Sequence, residues 1–206
     1  MAILATTTEG KKRELVPVGN HVARCVQMIH LGTKEFEYSG ETKKQNKVRL
    51  VWELLDESYT YEKDGEKITS NFMIGKEYTL SMHEKSSLRK ELQSWRGKPF
   101  TSDEARSFDV TKLLNVPCML NVIHKESGDG SKTYANISSI SSVPKSLKPG
   151  EATTEIIEFN FTDKYHLLET LPEWLQERIK ESDLIAACCS MFEKSYLAEP
   201  LRFSKV

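Results

Sequence analysis

Apolar and polar residues alternate with a two-residue period in several stretches of the chain, and in one place the period lengthens to that of a helix. The cleanest alternation is Lys47 to Leu54. Val48, Leu50, Trp52 and Leu54 share one side, opposite Lys47, Arg49, Val51 and Glu53. This predicts a strand with one face on a core, and Trp52 belongs to that core because its companions do. His21 to Leu31 is a longer strand whose alternation slips, as in a bent or bulged strand, with a turn at Gly19-Asn20 before it and a stop at Gly32-Thr33. Lys34 to Gln45 reads as a polar loop. Asp56 to Lys67, with the turn signal Asp64-Gly65, reads as a second loop leading into a strand over Ile68 to Leu80, interrupted at Gly75. Val116 to His124 and Thr133 to Ile140 form another hairpin across Gly128-Asp129-Gly130.

The helical stretch follows the third strand. Ser81-Met82-His83-Glu84 has the spacing of a capping box and predicts a helix start there. Leu88, Leu92 and Trp95 then make one apolar stripe, Gly97 suits a left-handed C-terminal cap, and Pro99 prevents continuation. A short helix with one apolar side needs a sheet to lie on. Thr101 to Asn115 offers a short helix at most, anchored by Phe108, Leu113 and Leu114.

Pro144, Pro149 and Gly150 mark the end of the sheet pattern. Beyond them Glu155 to Phe161 is extended, and Asp163 to Leu171 and Pro172 to Lys180 are short helices, the second with proline in its first turn. The layout is therefore a flexible N-terminus over residues 1–14, a β domain over 15–145, and an acidic helical region over 146–206, whose last part, 184–206, carries no clear pattern. Strand, strand, strand, helix, strand, strand is the element order of the five-stranded oligonucleotide- and oligosaccharide-binding barrel, the OB-fold. The expected class is mainly β: that barrel, with a helix between strands three and four and a small C-terminal helical appendage.

Charge changes the picture along the chain more than in sum. The total is 29 Lys+Arg against 30 Asp+Glu, net -1, which excludes a strongly basic nucleic-acid binder. Residues 151–206 nevertheless hold 6 basic and 11 acidic residues, and the remainder 23 and 19, so a basic body carries an acidic appendage. The four cysteines, Cys25, Cys118, Cys188 and Cys189, show no CxxC pairing and no histidine at ligand spacing. Reduced thiols, no metal and no cofactor are expected, in a cytoplasmic protein. The longest apolar run, Leu184 to Cys189, is far too short to span a bilayer.

Catalytic motifs are lacking. Gly75-Lys76 ends a would-be phosphate loop, but Ser70 replaces its first glycine and Glu77 the hydroxyl residue that would hold magnesium. The five histidines form no HExxH or triad signature, so no enzyme is expected. What remains is a set of cations interleaved with rings: Phe36, Tyr38, Lys43 and Lys44, with Lys34, in the first loop; Lys47 and Arg49 on the second strand; Lys76 at the end of the third; Lys125, Lys132 and Tyr134 around the last hairpin. Such a set suits single-stranded nucleic acid, because cations track phosphates while unstacked bases lie on rings.

Gly19 to Cys25, Val48 to Leu54, Lys76 to Gly97, Pro117 to Asn121 and Lys132 to Ile137 together resemble a family of phage and prophage single-stranded-DNA-binding proteins encoded among replication and recombination genes. The resemblance spans roughly residues 15–150. It implies an OB-fold that binds single-stranded DNA in the host cytoplasm, with replication or recombination proteins as further partners through the C-terminal region. The alternative is an OB-fold interaction module that recruits such partners without binding DNA strongly. Monomer and homo-oligomer are both compatible with the sequence.

Overall fold

A computed structural model describes residues 14–183. The lead-in up to residue 13 and residues 184–206, with Cys188 and Cys189, lie outside the described residues. Five strands form one antiparallel sheet in the order β3-β2-β1-β4-β5: β1 Gly19–Tyr38, β2 Glu41–Lys63, β3 Glu66–Thr79, β4 Pro117–Glu126 and β5 Thr133–Ser141. Between β3 and β4 the chain makes α1 (Ser87–Arg96), α2 (Ser102–Arg106) and a 3-10 turn at Val110–Leu113. After β5 come β6 (Ile157–Phe159), a 3-10 turn at Tyr165–Thr170 and α3 (Glu173–Lys180).

The sheet curls because β1 is bent. Its register shifts between Cys25 and Gln27 and again between His30 and Gly32, and each bulge adds twist. Gly19 to Arg24 pair with β4, and past the first bulge Gln27 to Ile29 pair in parallel with β6. The slip in the alternation of His21 to Leu31 is this change of partner. Curling brings the two edge strands together, so that Lys76 Nζ on β3 donates to the Ile137 carbonyl on β5 at 3.2 Å. Inside the curl Trp52, Leu50, Leu54, Leu120 and Val122 are buried together. Leu88, Leu92 and Trp95 of α1 join them, and the Trp95 indole donates to the Pro117 carbonyl at 2.9 Å.

Helix α1 starts later than its first capping signal. Ser86 is the cap, its hydroxyl accepting from the Arg89 amide at 3.2 Å and donating to the Ser81 carbonyl at 2.6 Å. A turn over residues 82–85 would bury nothing, since the apolar stripe begins at Leu88. The complete capping box lies instead at Thr101 and Glu104, opening α2. Gly97 takes the left-handed cap as expected, with φ 67°.

Both stretches read as loops are mostly strand. Residues 34–45 belong to a hairpin that turns at Ser39-Gly40 (φ 54° and 77°), and residues 56–67 to one that turns at Asp64-Gly65 (φ 53° and 83°). Positive φ at both central residues is the turn that matches strand twist. The 34–45 ribbon and the tip of the other extend past the body of the sheet, where side chains are mostly exposed, while Tyr59 still packs on the core against Phe72. Gly75 does not interrupt β3; a Cβ there would strike the Arg49 guanidinium.

A second core lies on the outer side of β1. Ile29 and Leu31 pack against Phe159, Phe161, Leu168, Leu171, Leu175 and Ile179, which seats residues 157–182 on the sheet. The closest approach is at Gly32, φ 77°, where a Cβ would overlap the Ser182 hydroxyl and crowd Phe161. Gly32→Ala is therefore expected to cost at least about 1 kcal/mol in denaturant unfolding. Proteolysis should cut first within residues 151–183. Wild-type stability in that variant would mean that the contact at Ser182 gives way freely.

Candidate nucleic-acid interface

The sequence-predicted residues fall into three places. The first is the tip of the β1–β2 ribbon, where Phe36 stands across from Lys43 and Tyr38 across from Glu41. Its lysines already have carboxylates: Lys43 with Glu41 at 3.5 Å, Lys44 with Glu35 at 2.9 Å and Asp183 at 3.1 Å, Lys34 with Glu181 at 2.6 Å. The hydrogen bonds to Glu35 and Asp183 raise the pKa of Lys44 above its ordinary value.

The second place is the outward face of β2. Here Lys47 is half-buried, while Val51 and Glu53 are fully covered. Arg49 lies 3.6 Å from Glu77 with the Trp174 ring over its guanidinium at 5.1 Å; burial lowers its pKa against the pull of Glu77. Arg178 of α3 reaches the same Glu77 at 2.6 Å. Glu53 accepts from Asn71 Nδ2 (2.7 Å), from the Thr153 amide (2.9 Å) and hydroxyl (2.8 Å), and from the Thr154 amide (2.8 Å). Burial pushes its carboxyl up, but these bonds outweigh burial and hold it at about 2. The face expected to be an open cationic groove is the seat of the C-terminal region. Alternation could not show this, because it identifies one core face and leaves the opposite one unassigned. The available signal was Met28-Ile29-His30-Leu31, which puts apolar side chains on both faces of β1.

Lys76 stands apart from the other cations. Its partner across the ladder is the buried Leu50, so its side chain turns inward, to Glu91 of α1 at 2.6 Å. Tyr78 donates to the same Glu91 at 2.5 Å, and burial, followed by Glu91, raises the phenol pKa far above its usual range. Lys76 therefore ties the sheet edges and α1 together.

The third place is the β4–β5 hairpin. Tyr134 is 50% exposed and stands across from Lys125. Among the described residues neither Lys125 nor Lys132 has an ion-pair partner. Asp129 is turned into its own loop, where bonds from Ser127 and Ser131 hold its carboxyl at about 2. On the same outward face Asn121 Nδ2 donates to Asn20 Oδ1 at 2.8 Å, and Ser138 donates to Asn121 Oδ1 at 2.5 Å. Since β4 pairs with Gly19–Arg24 and runs beyond Gly19, this hairpin lies at the opposite end of β1 from Phe36 and Lys43.

Among the described residues no group of three His, Cys, Asp or Glu could hold a metal ion, and no helix is long and apolar enough to cross a membrane. The Cys25 thiol is free and buried, which pushes its pKa up to about 12. The sequence matches no family model and no curated protein.

Proposed function

We propose that this protein binds single-stranded DNA without catalysing a reaction, through an OB-type barrel, and protects it during viral DNA replication or recombination. The observation that carries this reading is the half-exposed Tyr134 ring, across from Lys125 and two residues after Lys132, with no ion-pair partner for either lysine among the described residues. Ring and cation together offer a base a stacking surface and a phosphate a counter-charge. The curled antiparallel sheet, with α1 between β3 and β4 in the chain, supports the OB assignment.

Salt tests the proposal. Affinity for a labelled 30-mer should fall log-linearly with salt, with a slope near 0.7 per phosphate neutralised. No binding at low salt would overturn it. Unlabelled single strand should also compete far better than duplex, whose stacked bases cannot reach a ring. The second reading, a module that recruits a replication partner, is favoured by Trp174, which is 50% exposed on α3. Aromatic rings of that exposure are frequent anchors of protein contacts.

A further inference from the structure

We infer that the bound strand crosses the outer face made by the start of β1 with β4 and β5, where Asn136, next to Tyr134, and Asn20, further along the face, meet base edges. This rests on the proposed single-strand binding and assigns it a surface. The outer face of β2, the other candidate, is largely occupied: Val51 is buried, Glu53 is buried and bound by Thr153 and Thr154, and Arg49 lies between Glu77 and Trp174. Lys34 and Lys44 are held by Glu181 and Asp183 of the same segment. A polyanion would have to displace those carboxylates first.

Among the described residues the β4–β5 part of the other face bears no such cover; on β1 cover begins at Arg24, which Gly150 and Glu151 hold. Leu120, Val122 and Ile137 point into the core, so Asn121, Ile123 and Lys125 point outward, as do Tyr134 and Asn136 across from them. Asn20, across from Asn121, extends the face onto β1. Glu126 projects to the other side of its strand, and Asp129 is satisfied within its own turn. On β4 and β5 the charge that faces outward is therefore cationic, while on β1 Arg24 is paired with Glu151. The amides have a division of labour. Asn121 is engaged at both ends, by Asn20 and by Ser138, and so fixes the Asn20 side chain. Asn136 Nδ2 gives one of its two N–H groups to the Tyr134 carbonyl at 3.2 Å, which leaves its oxygen and one donor; Asn20 keeps its amide donors. Asn136 stands two residues from the ring on the same face and Asn20 lies two strands away, so the two amides would meet the edges of different unpaired bases.

The test is anisotropy with labelled dT30, dC30 and dA30 on the full chain, with thermal melting to show that each variant folds. Tyr134→Ala should weaken binding roughly 5- to 150-fold while Tyr134→Phe retains it. Lys125→Gln with Lys132→Gln should flatten the salt slope by about 1.4, and by more than Lys43→Gln with Lys47→Gln does. Asn20→Ala or Asn136→Ala should narrow the spread of affinities among the three homopolymers. If wild type binds, yet the β4–β5 variants bind equally well and the Lys43/Lys47 pair weakens, the assigned surface is wrong although the function stands. Equal wild-type affinity for all three homopolymers overturns the base-edge contacts. Absence of wild-type binding at low salt removes the function and the surface together.

Discussion

Trp52→Ala is expected to lose about 3 to 5 kcal/mol of unfolding free energy, the largest effect of any single truncation in the curled sheet. The side chain is completely buried, paired with Ile74 of β3 and Cys25 of β1 across the ladder, and its ring lies 6.0 Å from that of Trp95. Removing it would leave a hole between the sheet and α1, where strands fixed on both sides cannot collapse inward. Trp52→Phe separates ring packing from polar contacts. The indole N–H has no hydrogen-bond partner, so a phenyl ring forfeits volume but no bond, and the loss should be clearly smaller. Chemical denaturation followed by far-UV circular dichroism measures both. Normal melting of Trp52→Ala would contradict the burial and return this ring to a surface role.

The same residue shows how much of the fold was legible. Alternation over Lys47 to Leu54 is clear, broken only by Val51, and it places Val48, Leu50, Trp52 and Leu54 correctly in the core. Leu88, Leu92 and Trp95 are equally plain, since α1 buries a single stripe. The ribbons of residues 34–45 and 56–67 are invisible to the same reasoning. Their strands are held by ladder bonds between backbones, and apart from Tyr59, which reaches the core, mostly solvated side chains carry no pattern. Of the candidate site, the residue types could be read but not their placement. Lysines and rings could be picked from the sequence, yet the outward-reading cations split three ways: Lys76 turned inward to Glu91, Arg49 sealed under Trp174, and Lys125 left open. What separates them is the docking of residues 151–183, a long-range contact with only Ile29 and Leu31 to announce it.

That docking turns on Glu53, and Glu53→Ala is expected to undo it at a cost on the order of 3 kcal/mol. The carboxylate is the shared acceptor for Asn71, Thr153 and Thr154, and each buried donor left unpaired costs about 1 to 3 kcal/mol. The sum is not realised in full, because Thr153 and Thr154 regain water as their segment lifts. The pH dependence has a definite sign. The carboxyl titrates near 4.5 when free and at about 2 in place, so its contribution is complete above the free value and drains away as pH falls from 4.5 toward 2. Trp174 reports the event, since its ring leaves the Arg49 guanidinium when α3 departs. Acid titration of tryptophan fluorescence should show a transition in that window for wild type. Glu53→Gln, which cannot ionise, should lack the part that Glu53 contributes. Deleting residues 150–206 is the poorer experiment, because it strips the cover from Ile29 and Leu31 and leaves the Glu53 charge without its threonine donors. An unchanged acid transition in Glu53→Gln would mean that the hydrophobic contacts alone hold the segment, with the carboxylate contributing no net stability.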